Sequence, residues 1–501
     1  MSARPGVAYL VGAGPGDPGL ITVRAMELLS SADVVLHDRL IPIAVLDAAR
    51  PDAEVIDVGK RPGGDISQSR IEELMIDRAR SGASVVRLKG GDPFTFGRGG
   101  EEAEVLAEAG IPFEIVSGVT AGIAAPAYAG IPITHRDDAS AVAFVTGHED
   151  PEKEDSAIDW GALARFPGTL VLYMSVKRLP EIAERLVAAG ADAALPAAVV
   201  ERGTMSGQRT ITAPLSELPA AAEEAAMKAP AIVVIGPVTA RAEAIAWLEG
   251  RPLHGRRIVV TRARPQASTL AASLRALGAE TVELPAIRIE PRIDSDEVRR
   301  AVDEIYSYAL VCLTSPNGVR LLFEAMGAAG RDARALANAT VAAIGPGTAA
   351  ALRKHGVIAD VVPERSVAEA LVEALREVEV EGRPVLIARA SEARDVLPDA
   401  LRERDARVDV VALYDTVAET PDEDAVDAAQ DADYVTFTSA STVRNLTRAL
   451  GDRLPRDARI VSIGPITSEA AREAGLEVDV EAERHDIEGL VQALVSAAGP
   501  K

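Results

Sequence analysis

Val85-Val-Arg-Leu-Lys-Gly-Gly-Asp-Pro-Phe-Thr-Phe-Gly-Arg-Gly-Gly-Glu-Glu102 opens on a short β-branched run and closes on two acids that begin a helical pattern. Between them lie Gly90, Gly91, Gly97, Gly99 and Gly100. Glycine permits positive φ and lets a ligand approach the backbone closely. Five glycines at a strand end, around the single carboxylate of Asp92, are hard to explain by packing alone. Asp92 is placed to accept from a ribose hydroxyl or an ammonium group, and Arg98 offers a cation nearby.

The same strand–loop–helix unit recurs outward from this stretch. Val7–Val11, Val34–Leu36, Val55–Val58 and Phe113–Val116 read as buried strands, and Ile71–Arg80 and Glu101–Ala109 have helical spacing. A second run of the same kind follows in Val142–Thr146, Thr169–Leu172, Ala197–Val200 and Ile232–Ile235. The alternation predicts α/β architecture with largely parallel sheets. Gly250, Pro252 and Gly255 break the helical pattern ending at Trp247 and Leu248, so a boundary is expected at 249–255, read as a linker.

Composition narrows the function. The 501 residues carry 53 basic and 76 acidic side chains, a formal net charge of −23. No basic cluster offers a nucleic-acid surface, and an anionic membrane is an equally poor partner. No stretch approaches the roughly 18 uncharged apolar residues of a membrane span, and Met1 to Gly6 lacks a secretory apolar core. The lone Cys312 excludes a disulfide framework and a thiolate zinc site, so no metal is expected and the chain reads as cytoplasmic. Of the basic residues, 46 are Arg and 7 are Lys, and Arg is the side chain that grips carboxylates bidentately.

Gly12-Ala-Gly-Pro-Gly-Asp-Pro-Gly19 also follows a strand. A dinucleotide fingerprint needs glycine at position 17 for tight helix packing. Asp17 stands there, a poor neighbour for a pyrophosphate, so the loop suits a ligand without phosphates.

The second half repeats itself. Cys312-Leu-Thr-Ser-Pro-Asn-Gly-Val-Arg320 echoes Thr436-Phe-Thr-Ser-Ala-Ser-Thr-Val-Arg444; Ala343-Ile-Gly-Pro-Gly-Thr348 echoes Ser462-Ile-Gly-Pro-Ile-Thr467; Val260-Thr-Arg262 echoes Ile387-Ala-Arg389. The offsets are 124, 119 and 127 residues. Two copies of one α/β unit predict a bilobed body with a cleft. Ser and Thr before a helix also read as plain N-caps.

With these motifs in hand, residues 7–245 resemble the tetrapyrrole methyltransferases, most closely uroporphyrinogen-III C-methyltransferase. The motifs run in order: Val11–Gly19, Asp38-Arg-Leu40, Val58-Gly-Lys-Arg61, Arg87–Phe94, Gly97–Glu102, Gly118-Val-Thr-Ala121, Gly130–Arg136 and Thr146-Gly-His148. Residues 256–497 resemble uroporphyrinogen-III synthase, a family with the same strand–Thr-Ser–helix and Ile-Gly-Pro repeat.

The resemblance implies a two-domain methylase fold over 1–248 (about 1–117 and 118–248). A bilobed synthase fold would follow over 256–501, with lobes of about 255–289 plus 418–500, and 290–417. The chain would leave the first lobe near Leu284–Glu290 and return near Leu413–Val417. It implies S-adenosylmethionine as cofactor, lined by Pro15, Gly90, Gly91, Asp92, Thr95, Thr120, Ala121, Met174 and Gly203. Asp38 is the expected base and Lys60 the proton donor or anchor, with Arg39, Arg61 and Arg98 near the substrate. Thr95 stands where an aliphatic residue is usual, Ser117 where proline is common, and His37 where tyrosine is common; these departures bear on loop detail.

In the second half the resemblance makes Tyr414 the group that helps a hydroxyl leave. Thr314, Ser315, Thr438, Ser439, Ser441, Arg262 and Arg389 would hold carboxylates. The implied activity is cyclisation of hydroxymethylbilane to uroporphyrinogen III and its double methylation to precorrin-2, by a homodimer acting on small tetrapyrroles. The alternative is a methyltransferase for another corrinoid fused to a non-catalytic tetrapyrrole-binding module.

Overall fold

The computed structural model describes residues 2–39, 41, 43–59, 66–147, 158–262, 264–455 and 457–499. The chain divides into two compact units, 1–255 and 256–501. Each holds two five-stranded sheets.

The first sheet joins β1 (Ala8–Gly12), β2 (Val34–His37), β3 (Glu54–Asp57), β4 (Val85–Lys89) and β5 (Phe113–Val116) in the order β3-β2-β4-β1-β5. All its pairings are parallel. Because side chains alternate along a strand, Tyr9, Val11, Val35, Val86 and Leu88 face one core with Leu28 and Leu29. Leu10, Leu36 and Val85 face the other, under Met75 and Leu106 of helices Gln68–Arg80 and Gly99–Glu108.

The second sheet holds β6 (Val142–Thr146), β7 (Thr169–Tyr173), β8 (Pro196–Glu201), β9 (Arg209–Pro214) and β10 (Ala231–Ile235), ordered β6-β7-β10-β8-β9. Here the expectation of a parallel sheet is corrected. Only β6 and β7 run parallel; β7/β10, β10/β8 and β8/β9 are antiparallel. An apolar run reads the same in either direction, so periodicity does not reveal it. The segment expected as a linker is packed into the first unit. Leu253 is fully buried, His254 Nε2 meets the Gln208 carbonyl at 2.9 Å, and Glu249 accepts from Gln208 and Thr210.

In the second unit, β11 (Arg257–Val260), β12 (Glu280–Glu283), β18 (Tyr434–Phe437), β19 (Arg459–Ser462) and β20 (Val480–Glu481) form one parallel sheet, ordered β12-β11-β18-β19-β20. The other contains β13 (Ile287–Pro291), β14 (Leu310–Leu313), β15 (Thr340–Ala343), β16 (Pro384–Ala390) and β17 (Arg407–Ala418), ordered β13-β17-β16-β14-β15. Only the β13/β17 pair is antiparallel.

The sequence repeat does not coincide with the lobes. One copy supplies β11 and β12 to the first sheet, then β14 and β15 to the second. The other supplies β16 and β17 to the second, then β18, β19 and β20 to the first. Each lobe is the start of one copy joined to the end of the other. The 127-residue offset that relates Val260 to Ile387 also relates Ile287 to Tyr414 and Pro291 to Ala418. The antiparallel pairs Ile287 with Ala418 and Pro291 with Tyr414 are therefore equivalent under exchange of the copies. The difference is local. β17 runs unbroken for 12 residues, while its counterpart is interrupted at Leu284-Pro285-Ala286, where Pro285 lacks a ladder donor.

Candidate functional site

In the first unit, three glycines meet where β1, β4 and β5 end. A Cβ on Gly118 would lie 2.1 Å from the Gly91 carbonyl oxygen, and one on Gly12 would lie 2.6 Å from that same atom. Gly14 and Gly91 exchange backbone hydrogen bonds of 3.2 and 2.7 Å. Gly91 has φ +68°, and a Cβ there would sit 3.7 Å from Thr120 Cα and the Ala121 amide. So Gly90, Gly91, Asp92, Thr120 and Ala121 are brought together, while Gly90 itself faces open space.

Asp92 is more occupied than the sequence suggests. Its Oδ1 accepts from the Phe94 amide (2.9 Å) and Thr95 Oγ1 (3.3 Å), and its Oδ2 accepts from the Gly118 amide (3.1 Å). Its first task is to tie the β4 loop to the β5 loop. Asp17 does similar work on the other side of Pro15. Its carboxylate accepts from Tyr128 Oη (2.6 Å) and the Gly19 amide, and its own amide donates to Thr204 Oγ1 (3.0 Å). Burial and the Asp17 carboxylate push the Tyr128 hydroxyl well above the usual phenol range.

The second sheet adds a wall. Tyr173 Oη meets Thr120 Oγ1 at 2.7 Å and accepts from the Gly122 amide at 2.8 Å. Phe96 tilts onto the Tyr173 ring with centroids 4.8 Å apart. Met174 follows with φ +53° and is 54% exposed, a conformation an L-residue holds only when its surroundings enforce it. Gly203 lies against Ala125 of helix Ala121–Tyr128, where a Cβ would come within 2.2 Å.

Asp38, just past β2, accepts from Arg87 Nη2 at 2.5 Å. Its ion-pair partner is thus Arg87 of the neighbouring strand, not the adjacent Arg39, which is exposed. Arg87 also reaches the Leu88 carbonyl (3.2 Å) and Glu102 Oε1 (3.3 Å), and Lys89 Nζ donates to Glu102 Oε1 at 3.0 Å. Arg87, Lys89 and Glu102 are buried. Burial first, then the nearby Arg87 charge, holds the Lys89 ammonium below the usual lysine range. No role was read for these three from the sequence. The available signal was Arg87 and Lys89 two residues apart on an otherwise apolar buried strand, which obliges a counter-charge. Arg98 pairs with Glu101 at 2.5 Å. Lys60 and Arg61 lie outside the described residues, as do Leu40 and His148.

In the second unit, Ser315 and Ser439 each start a helix, accepting from the amides of Gly318 (2.9 Å) and Thr442 (3.3 Å). Both are N-caps of Pro316–Ala328 and Ala440–Leu450. Only Ser315 has a tyrosine beside it, since Tyr414 Oη lies 2.8 Å from its Oγ. Tyr414 is buried, which pushes its hydroxyl above the usual phenol range, partly offset by the Ser315 hydrogen bond. Ser439 Oγ meets Ser441 Oγ at 3.0 Å. Thr314 and Thr438 sit at the ends of β14 and β18, half-buried. Arg389 is engaged by Asp395 Oδ1 (2.7 Å) and the Arg394 carbonyl (2.8 Å). Burial lowers the Arg262 guanidinium from its ordinary value. A depression of about 680 Å³ is lined by Arg320, Phe323, Arg331 and His355.

Parallel strand ends opening into glycine loops or capped helices are where open α/β sheets hold small ligands. The fold and sites therefore define an α/β enzyme built from two ligand-binding units. Residues 8–219 match the tetrapyrrole (corrin/porphyrin) methylases and residues 268–492 match uroporphyrinogen-III synthase HemD. The porphyrin biosynthesis protein HemD of Ruminiclostridium josui is 39% identical over 99% of this chain and 98% of its own. An S-adenosyl-L-methionine-dependent uroporphyrinogen III methyltransferase of Methanosarcina barkeri is 52% identical over 48% of this chain and 94% of its own. A crystal structure of a uroporphyrin III C-methyl transferase from Thermus thermophilus is 40% identical, covering 46% of this chain and 92% of that one, with a TM-score of 0.40. The chain belongs to the family in which a tetrapyrrole methylase is fused to a uroporphyrinogen-III synthase, a bifunctional enzyme of tetrapyrrole biosynthesis. Among the described residues, no helix is long and apolar enough to cross a membrane.

Proposed function

We propose that residues 256–501 close hydroxymethylbilane to uroporphyrinogen III, and that residues 1–255 methylate this product twice to precorrin-2. The observation that carries the methylation reading is the glycine junction of Gly12, Gly91 and Gly118 beside an Arg87-held Asp38. The junction fits S-adenosylmethionine. Gly90 is open, Met174 and Phe96 offer an apolar rim, and Asp17 stands where a pyrophosphate would need to approach. S-adenosylmethionine, when bound, supplies a methyl group on a sulfonium that needs alignment more than activation. Gly90, Gly91, Thr120, Ala121, Met174 and Gly203 would line it, with Pro15 and Thr95 at its border. Asp92 would act mainly by holding the loop.

Asp38 takes the proton that must leave elsewhere on the macrocycle when the methylated, no longer aromatic ring rearranges. Arg39 and Arg98, with Lys60 and Arg61, meet the carboxylates of the tetrapyrrole. In the synthase half, Tyr414 donates to the departing hydroxyl, and burial favours its protonated donor form. Thr314, Ser315, Thr438, Ser439, Ser441, Arg262 and Arg389 hold the substrate's carboxylates while the last ring inverts, Arg389 from its place beside Asp395. Selectivity comes from conformational control of a reactive intermediate. The reading includes a cytoplasmic homodimer, checked by its mass in solution.

The test gives the whole protein hydroxymethylbilane and S-adenosylmethionine. A product heavier by two methyl groups on the type III skeleton is expected. Uroporphyrinogen I formed at the uncatalysed rate would overturn the synthase assignment, and an unmethylated type III product would overturn the methylase assignment.

A further inference from the structure

The proposed base belongs to a group of four charges, of which the other three are buried. Asp38 and Glu102 are its anions, and Arg87 and Lys89 its cations. Arg87 and Lys89 project from the same face of β4, two residues apart, toward helices Gln68–Arg80 and Gly99–Glu108. Glu102, with no exposed surface, receives three donors on one oxygen: Arg87 Nε (3.3 Å), Lys89 Nζ (3.0 Å) and Gln68 Nε2 (3.1 Å). Its Oε2 is buried without a hydrogen-bond partner among the described residues. Packing alone does not require such a group, because two cations brought together out of water need compensation.

We propose that Glu102 and Lys89 are positioning residues that act through Arg87 on Asp38. The inference rests on the reading of Asp38 as base. Arg87 is a planar fork. One nitrogen is fixed by Glu102, one by the carbonyls of Leu88 and Leu36, and the third is thereby aimed at Asp38 Oδ1. Glu102 shares its charge between Arg87 and Lys89. Removing Glu102 concentrates positive charge on Asp38 and strengthens its ionised form; removing Lys89 releases Glu102 to Arg87 and weakens that form. Other charges around the group come from His37 and Arg39 beside Asp38, Asp57 at the end of β3, Glu72 on the first helix, and Arg98 and Glu101 on the second. None of these is altered by the variants below.

The experiment records the acid limb of methyl transfer at saturating S-adenosylmethionine. Glu102→Gln should move the limb to lower pH by about half a unit to one unit and reduce the plateau roughly tenfold. Lys89→Met should move it to higher pH. The double variant, which removes one charge of each sign, should return the limb close to wild type and remains informative if Glu102→Gln fails to fold. Unchanged S-adenosylmethionine affinity reports an intact unit. Limbs that coincide in all folded variants would overturn the inference, as would shifts of one common sign. Asp38→Asn separates the two claims: if it retains methyl transfer with its acid limb, the base assignment itself fails.

Discussion

The two units place the side chain proposed to react in each by opposite means. In the first, Asp38 is held by charge: Arg87 grips it, and Arg87 is itself anchored by a buried Glu102. In the second, Tyr414 is held by a neutral hydroxyl, Ser315 Oγ at 2.8 Å, within a hydrophobic core. A carboxylate that must take a proton has to stay ionised, so it needs a cation, and that buried cation needs its own anion. A tyrosine that must give a hydrogen bond has to stay neutral, and burial alone secures this. The charged arrangement recruits β2, β4 and two helices; the neutral one needs a single helix cap.

The strongest way to break this contrast is Asp38→Asn. Methyl transfer should fall by about 10²–10⁴-fold while cyclisation of hydroxymethylbilane stays unchanged; a parallel loss of cyclisation would mean that the two sites are not separate. Next comes Gly118→Ala, whose Cβ would meet the Gly91 carbonyl at 2.1 Å. Displacing the loops by even about 1 Å should cost methyl transfer near 10²-fold, whereas Gly90→Ala, whose Cβ meets no protein atom within 4 Å, should leave the fold intact and lower S-adenosylmethionine affinity measured by calorimetry.

Tyr414→Phe should slow cyclisation about tenfold, less than the Asp38 effect, because the substrate is intrinsically reactive. Its pH profile sharpens the point. Burial raises the Tyr414 hydroxyl, so the donor form persists as pH rises, and stopped-flow cyclisation should show no basic limb from this group below about pH 10. A limb near neutrality would assign the donor elsewhere. The smallest effect belongs to Ser439→Ala. Losing that cap should cost about 1 kcal/mol of stability in urea, with methyl transfer untouched. Ser315→Ala should match that cost and slow cyclisation more than Ser439→Ala does, since Ser315 meets Tyr414 as well as the proposed substrate carboxylates.

Much of this was legible in the chain. The strands of the first sheet, the glycine loop at 90–100 and the helix-capping serines carry local signals that survive in any α/β context. Other features were not. The direction of β10 against β7 and β8 depends on which neighbour an apolar strand meets, and an apolar run has no arrow. That Asp92 also ties the β4 loop to the β5 loop is visible only once the Gly118 amide is seen beside it. Leu253 and His254 sit among chain-breaking residues and look like a linker, yet they pack against the first unit.

The repeat shows where that boundary falls. By itself the sequence determined that the second half contains two copies of one α/β unit, because capped helices and Ile-Gly-Pro turns are written in neighbouring residues. The family resemblance implies a crossing between lobes, but the repeat itself does not fix it, and the tertiary structure shows each lobe assembled from both copies. Strand pairing joins residues more than a hundred positions apart, as when Val259 pairs with Val435, and its choice follows from burying whole sheet faces. Both copies cross between the lobes, one with its strand interrupted at Pro285 and the other after an unbroken β17. The buried charges arise in the same way. Arg87 and Glu102 are fixed in the sequence, but their neutralising of one another beneath Asp38 exists only once β4 is covered by its helices and water is gone.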